Sequence, residues 1–60
     1  MFIELTEKTY AGTELTAPIL VNVDNIVYVT PNDNGSTVFV NGGGMIMVSD
    51  KYKSIASYLQ

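Results

Sequence analysis

Few residue types in this 60-residue chain can perform chemistry, because it contains neither histidine nor cysteine. Their absence removes disulfides, thiolate and imidazole metal ligands, and the side chain that most often acts as a general base. The remaining carboxylates, lysines, serines and tyrosines match no catalytic or metal-binding spacing. A chain this short also has little room for a pocket that excludes water. The sequence therefore predicts a non-enzymatic protein with no catalytic residue, no metal site and no cofactor.

The most unusual local feature is the run of three glycines at Gly42–Gly44. Glycine backbone can approach a ligand closely and direct N–H groups to a phosphate, although an ordinary hairpin turn explains the same residues. A predicted helix start follows the glycine run, and its free N–H groups could bind an anion. The alternative interpretation is an ordinary helix cap with lysines that only contact solvent. A tyrosine there could stack on a base. We predict a ligand-binding site formed by Asn41, Gly42, Gly43, Gly44, Ser49, Lys51 and Tyr52.

Large apolar side chains on the central strands are candidates for a subunit interface. Methionine adapts to irregular surfaces, and tyrosine combines an apolar ring with a polar tip. The apolar residues of these strands do not alternate with polar ones, so both faces require cover, and one helix covers only one face. The expected faces are Ile26, Tyr28 and Thr30 against Val27 and Val29, and the expected interface residues are Tyr28, Met45 and Met47.

The elements that position these residues follow from β-branched and aromatic clusters separated by turn residues. Asn34-Gly35 and Asn41-Gly42 favour tight turns. We expect a loop or loose edge hairpin from Lys8 to Thr16, a strand that begins after Pro18, and a bend at Asn22 to Asn25. The predicted strands are Phe2–Glu7, Ile19–Val21, Ile26–Thr30, Ser36–Val40 and Met45–Val48.

A C-terminal helix completes the predicted fold. Ser49 is a good N-cap and Asp50 suits the positive end of the helix dipole. The apolar residues that follow recur with helical spacing at Tyr52, Ile55, Ala56 and Leu59. The predicted fold is therefore α+β but mostly β: a small antiparallel β-meander of four to five strands with one C-terminal helix, in a single domain spanning residues 1–60.

Size and charge limit the partners. A chain of this length buries only about 60% of its unfolded surface, so we expect a homo-oligomer. Six carboxylates against three lysines give a net charge of −3, which predicts no binding to duplex DNA. The chain has no apolar run of about 20 residues and no signal-peptide pattern, so we expect no membrane association and a cytoplasmic location, in a cell or in an infected host cell.

The order of elements resembles the C-terminal half of LytTR-type DNA-binding domains, through Val21-Asn22-Val23-Asp24 and Val48-Ser49-Asp50-Lys51-Tyr52. It is also similar in length and pattern to the small flagellar FlbD and SwrD proteins. The LytTR resemblance implies a shared fold over about the last 40 residues. The basic DNA contacts of that family correspond here to Thr16, Ala17 and Pro18, so its DNA-reading function is not implied.

Three functions remain open at this point. The first is an oligomeric protein that captures a small molecule, for example a nucleotide, at subunit interfaces, as phage-encoded anti-defence sponges do. The second is an acidic adaptor or inhibitor that masks a protein partner. The third is a regulator of the FlbD or LytTR type. Binding of a nucleotide that stabilises the folded state would favour the first.

Overall fold

The computed structural model describes residues 1–60 as a five-stranded antiparallel sheet with one C-terminal helix. The elements in chain order are β1 (Phe2–Tyr10), β2 (Glu14–Asn22), a 3-10 turn (Val23–Asn25), β3 (Ile26–Asn32), β4 (Gly35–Val40), β5 (Met45–Val48) and α1 (Tyr52–Leu59). The strand order is β2-β1-β5-β4-β3. The predicted fold class, a small mostly-β meander with one helix, is confirmed. Strands β3 to β5 form the meander. The β1–β2 hairpin is attached to it because β1 also pairs with β5.

The β1–β2 hairpin is longer than the sequence pattern predicts. β1 does not end at Glu7 but continues to Tyr10, and β2 begins at Glu14 instead of Ile19. The two strands pair through nine residues each, so most of the predicted loop is strand. Threonines on an exposed strand explain the error, since their polarity imitates a loop while their β-branching favours a strand. Gly12 makes the tip, with a φ of +84°.

A side-chain contact closes this tip. The Tyr10 hydroxyl donates a hydrogen bond to Oε1 of Glu14 over 3.2 Å. This bond, followed by partial desolvation and the negative charge of Glu14, raises the pKa of Tyr10 above its usual value of 10.0. Tyr10 is exposed. The contact therefore joins the last pair of residues in the β1–β2 ladder and lies outside the core.

The two prolines of the chain lie in the two edge strands. The prediction that Pro18 marks the start of this strand is wrong, because Pro18 lies within β2, opposite Thr6. Pro31 lies in β3 opposite Ser36. A proline in an edge strand removes a free N–H from the open side, which opposes pairing with a strand of another chain. Both open edges of the sheet are therefore blunted.

The connection between β2 and β3 forces the sheet to curl. Only Val23–Asn25 separates Asn22 from Ile26, although β2 and β3 are opposite edges of the sheet. Four residue steps reach at most about 14 Å. Four strand spacings in a flat sheet amount to about 19 Å. The sheet therefore bends until the two edges approach at this corner, where the Asn22 side chain accepts a hydrogen bond from the N–H of Asp24 over 3.1 Å.

The core lies inside the curl and is small. It contains residues of four strands and one helical residue, all at most 8% exposed: Ile3, Leu5, Val21, Val38, Val48 and Ile55. The helix places Ile55 fully inside, whereas Tyr52, the first residue of the same apolar spacing, is 44% exposed. Hydrophobic residues make up 47% of the chain, so most of them lie partly or fully at the surface.

A β-bulge in β3 changes the predicted faces of this strand. Ile26 pairs with Val40 but Tyr28 pairs with Phe39, so Val27 is the extra residue. The bulge brings Ile26 and Val29 to the core side, where both pack against the core cluster. The prediction that Ile26 and Tyr28 share a face is therefore wrong. Strict alternation cannot reveal the position of a bulge.

The segment before α1 is tied to the sheet and does not cap the helix. The predicted N-cap Ser49 is wrong, because the N-cap is Lys51 and makes no side-chain hydrogen bond. The N–H of Ser49 donates to the Thr6 carbonyl over 2.9 Å. Oδ1 of Asp50 accepts from the N–H of Thr6 over 2.6 Å, and its carbonyl accepts from the buried Ser36 hydroxyl over 2.7 Å. These bonds hold β1, β4 and the start of α1 together.

The turn between β3 and β4 is fixed against β1 and β5. The Lys8 side chain is 5% exposed, and its ammonium group donates to the Asn34 carbonyl over 2.9 Å. The next residue, Gly35, has a φ of +152° and lies against the end of β5. A Cβ atom at Gly35 would lie 2.1 Å from the Val48 carbonyl oxygen and 2.8 Å from the Ser49 Cα. Only glycine fits this position.

We predict that Gly35→Ala lowers the free energy of unfolding by about 3 kcal/mol or more, because overpacking against a backbone adds to the strain of a positive φ. Gly12→Ala is the matched control, since its φ is also positive and no atom lies within 4 Å of the added Cβ. It should cost only about 1–2 kcal/mol. Urea unfolding followed by circular dichroism measures both. Equal losses would contradict the close approach of Gly35 to Val48.

Candidate functional site

Two grooves lie beside β3. The glycine groove has a volume of about 350 Å³ and is lined by Val27, Tyr28, Phe39, Val40, Asn41, Gly42, Gly43 and Gly44. The helix groove has a volume of about 510 Å³ and is lined by Val23, Ile26, Val27, Tyr28, Val29, Tyr52, Ile55, Ala56, Leu59 and Gln60. Both volumes fall within the range of about 300–1,000 Å³ that ligand pockets occupy. Neither lining contains a charged residue.

The glycine groove is formed by the loop between β4 and β5. The loop is closed at its base, where the N–H of Val40 donates to the Gly44 carbonyl over 3.0 Å. Gly42 and Gly43 have φ values of +89° and +86°, and a Cβ atom at either would meet no atom within 4 Å. The N–H groups of all three glycines make no hydrogen bond within the chain. They are therefore free to bind an acceptor.

An aromatic pair forms one wall of this groove. The rings of Tyr28 and Phe39 are stacked with their centroids 4.4 Å apart and an angle of 24° between the planes. The two residues lie directly opposite each other on β3 and β4. Tyr28 is 54% exposed. A planar group that entered the groove would meet aromatic carbon and glycine backbone, and no cation.

The predicted ligand-binding residues do not all come together. Asn41 and the three glycines line one groove, and Tyr52 lines the other. Ser49 and Lys51 line neither groove. Ser49 lies away from the glycine loop because its backbone N–H is bonded to Thr6 of β1, which holds this segment on the sheet. Ser49 and Lys51 are close to the glycine run in sequence but do not line the glycine groove.

The helix groove is a site that the sequence reasoning missed. One wall is β3 with the preceding 3-10 turn, and the other is the apolar face of α1. The apolar residues of both walls were recognised from their spacing, but Tyr28 was assigned to a subunit interface and Tyr52 to the glycine site, and no groove between β3 and α1 was predicted. What the sequence did not show is the strand order, which places β3 at the edge of the sheet beside α1. The groove exists because no further strand covers that edge.

The two grooves meet at the bulge in β3. Val27 and Tyr28 line both of them, and both residues are more than half exposed. A bulge turns side chains away from strict alternation and often lies next to a functional site. The result is a continuous apolar surface that passes around β3 from the helix groove to the glycine groove.

The predicted interface residues lie together on one surface. Tyr28 pairs with Phe39, which pairs with Met45, and directly opposite residues of an antiparallel sheet point to the same side. Met45 is 62% exposed and Met47 is 37% exposed. By the same registers and by alternation, the outer face of the meander consists of Tyr28, Thr30, Thr37, Phe39, Met45 and Met47.

Three further properties of the chain concern metals, membranes and relatives. No group of three or more histidine, cysteine, aspartate or glutamate side chains is placed to hold a metal ion. No helix has the length and apolar character needed to cross a bilayer. Comparison with known proteins found no family model, no curated protein and no solved structure that matches the chain. The resemblance to LytTR-type domains and to the FlbD and SwrD proteins therefore stays a hypothesis based on sequence pattern.

Proposed function

We propose that this protein is a non-enzymatic adaptor or inhibitor that binds a protein partner in the helix groove. The observation that supports the proposal is a groove of about 510 Å³ lined by nine hydrophobic residues out of ten. Small proteins rarely leave such a surface uncovered unless something binds there. The partner that fits is the apolar face of an amphipathic helix, which inserts side chains at helical spacing into a hydrophobic groove.

The edges of the sheet favour a helix over a strand as the ligand. Pro31 removes an N–H group from β3, and the bulge at Val27 interrupts its regular ladder. An added strand needs a continuous row of free backbone groups, which β3 does not offer. The groove, by contrast, offers side chains of both walls. Recognition would therefore depend on apolar side chains and not on backbone pairing.

Charge sets a preference among such helices. The chain carries six carboxylates and three lysines, and none of these nine residues lines the helix groove. The apolar face of the partner therefore meets no charged side chain in the lining, while the net charge of −3 of the whole chain attracts basic flanking residues over a longer range. Lys51 and Lys53 at the start of α1 oppose this attraction locally. The best partner is an amphipathic helix with lysine or arginine on its polar side.

A second candidate function is capture of a small planar molecule in the glycine groove. It is supported by the three unpaired glycine N–H groups beside the exposed ring of Tyr28. The absence of any cation in the lining favours a neutral ring with hydrogen-bond acceptors, such as a nucleobase, over a phosphate group. A nucleotide would therefore bind through its base, with its phosphates directed to solvent.

The first function is tested with peptides selected on the wild-type protein from a phage-displayed library of helical sequences. We expect amphipathic, basic peptides with micromolar Kd in calorimetry. Leu59→Lys should weaken them at least tenfold, because it introduces a charge into the helix groove that Leu59 lines. Ser57→Lys is the matched control, since it adds the same charge to the same exposed helical turn without lining a groove. Peptides that bind Leu59→Lys as tightly as wild type would contradict the proposal.

The second function is tested by calorimetric titration with nucleosides and the matching nucleotides. We expect both members of each pair to bind with similar Kd, and Gly43→Ala to weaken them by placing a methyl group in the groove. Gly12→Ala controls for backbone strain, because its φ of +84° is close to the +86° of Gly43 and it lies at the distant hairpin tip. No binding heat from any nucleoside, or equal effects of the two variants, would rule this function out.

A further inference from the structure

We propose that the outer face of the meander is the surface through which two copies of this chain form a two-fold dimer. The outer face shares Tyr28 with the helix groove, but its other residues lie outside that groove, and the proposal does not depend on the function assigned to the groove. The partner on this face is a second copy of the chain. Three independent properties of the face support this choice: its lack of charge, its composition, and the small core behind it.

The first property is charge. Strands β3, β4 and β5 contain no charged residue, and in the segment from Ile26 to Val48 only Asp33 in a turn is charged. The whole chain carries a net charge of −3, so two copies repel each other over most of their surface. A two-fold contact places each residue against the same patch of the other copy. The charge-free face is therefore the part of the sheet on which self-association meets no like-charge repulsion.

The second property is composition. The outer face presents two methionines, two aromatic rings and two threonines. Methionine and aromatic residues are enriched in the centres of protein interfaces, where charged residues are depleted. Met45 and Tyr28 are both more than half exposed in the single chain. The unbranched methionine side chains can adapt to the same side chains of an identical surface.

The third property is the imbalance between the core and the apolar surface. Only six hydrophobic residues are buried, although hydrophobic residues make up 47% of the chain. A chain of this size is marginally stable on its own, and association is a common way to bury more apolar surface. A stable dimer needs about 800 Å² from each partner. This is about a fifth of the 4030 Å² surface of one copy.

The arrangement of the edges favours packing through faces. Edge-to-edge pairing would extend the sheet into a second copy, but Pro18 and Pro31 interrupt both open edges. The outer face contains neither proline. It adjoins the glycine groove through Tyr28 and Phe39, which belong to both surfaces. A face-to-face dimer would therefore place the glycine groove at the margin of the subunit junction.

The test is light scattering coupled to size exclusion at several protein concentrations. Wild type should have twice the 6.5 kDa mass of one chain, and Met45→Asp should have the mass of one chain. Met45 is the preferred position because it is 62% exposed, so the variant keeps its fold. Met47→Asp, at a less exposed position of the same face, should act in the same direction. Leu15→Asp, on the exposed hairpin at 51% exposure, is the matched control and should remain a dimer.

The outcomes are distinct. A wild-type monomer at every concentration would overturn the dimer, and so would a Met45→Asp variant that keeps the wild-type mass. Circular dichroism melting of Met45→Asp confirms that it is folded before its mass is interpreted. The monomeric variant should still bind the helix-groove peptides, because Met45 does not line that groove. Failure of peptide binding in wild type would overturn the groove function and leave the dimer standing.

Discussion

The structure depends on the short connection between two opposite edges of one sheet. A turn of three residues, Val23–Asn25, joins β2 to β3, and this length cannot span a flat five-stranded sheet. The resulting curl encloses a small core, which α1 enters only with Ile55. The same curl leaves β3 as an uncovered edge beside the helix. The core and the helix groove are therefore two consequences of one chain connection.

A second group of contacts keeps the curl closed. The Asp50 side chain and the Ser49 backbone bind both backbone groups of Thr6, while the Ser36 hydroxyl binds the Asp50 carbonyl. The close approach of Gly35 to Val48 brings β4 against the end of β5. These contacts use the polar residues between β5 and α1 for structure. They explain why Ser49 is not available for a helix cap or for a ligand at the glycine loop.

The sequence predicted the element types well because they depend on local patterns. Clusters of β-branched residues and the helical spacing of Ile55 and Leu59 are local signals. The turn predicted at Asn34-Gly35 lies one residue earlier, at Asp33-Asn34, because Gly35 already pairs with Asn32 as the first residue of β4. The strand order, the bulge at Val27 and the pairing of Ser49 with Thr6 depend on distant parts of the chain, so no local pattern reveals them. For the same reason the glycine groove was found in part, through Asn41 and the glycine run, whereas the helix groove was missed. The role of Tyr28, Met45 and Met47 as an interface stays a prediction. That the three lie on one face follows from the strand registers of the structure, which the sequence did not reveal.

The central claim is that the outer face of the meander is covered by a second copy in solution. The most direct measurement is the paramagnetic relaxation of side-chain methyl signals by a soluble gadolinium chelate in concentrated wild-type protein. Met45 and Leu15 are 62% and 51% exposed in one chain, so they are a matched pair of reporters. Our account predicts strong relaxation of the Leu15 methyl groups and protection of the Met45 methyl group. Relaxation of Met45 as strong as that of Leu15 would contradict it.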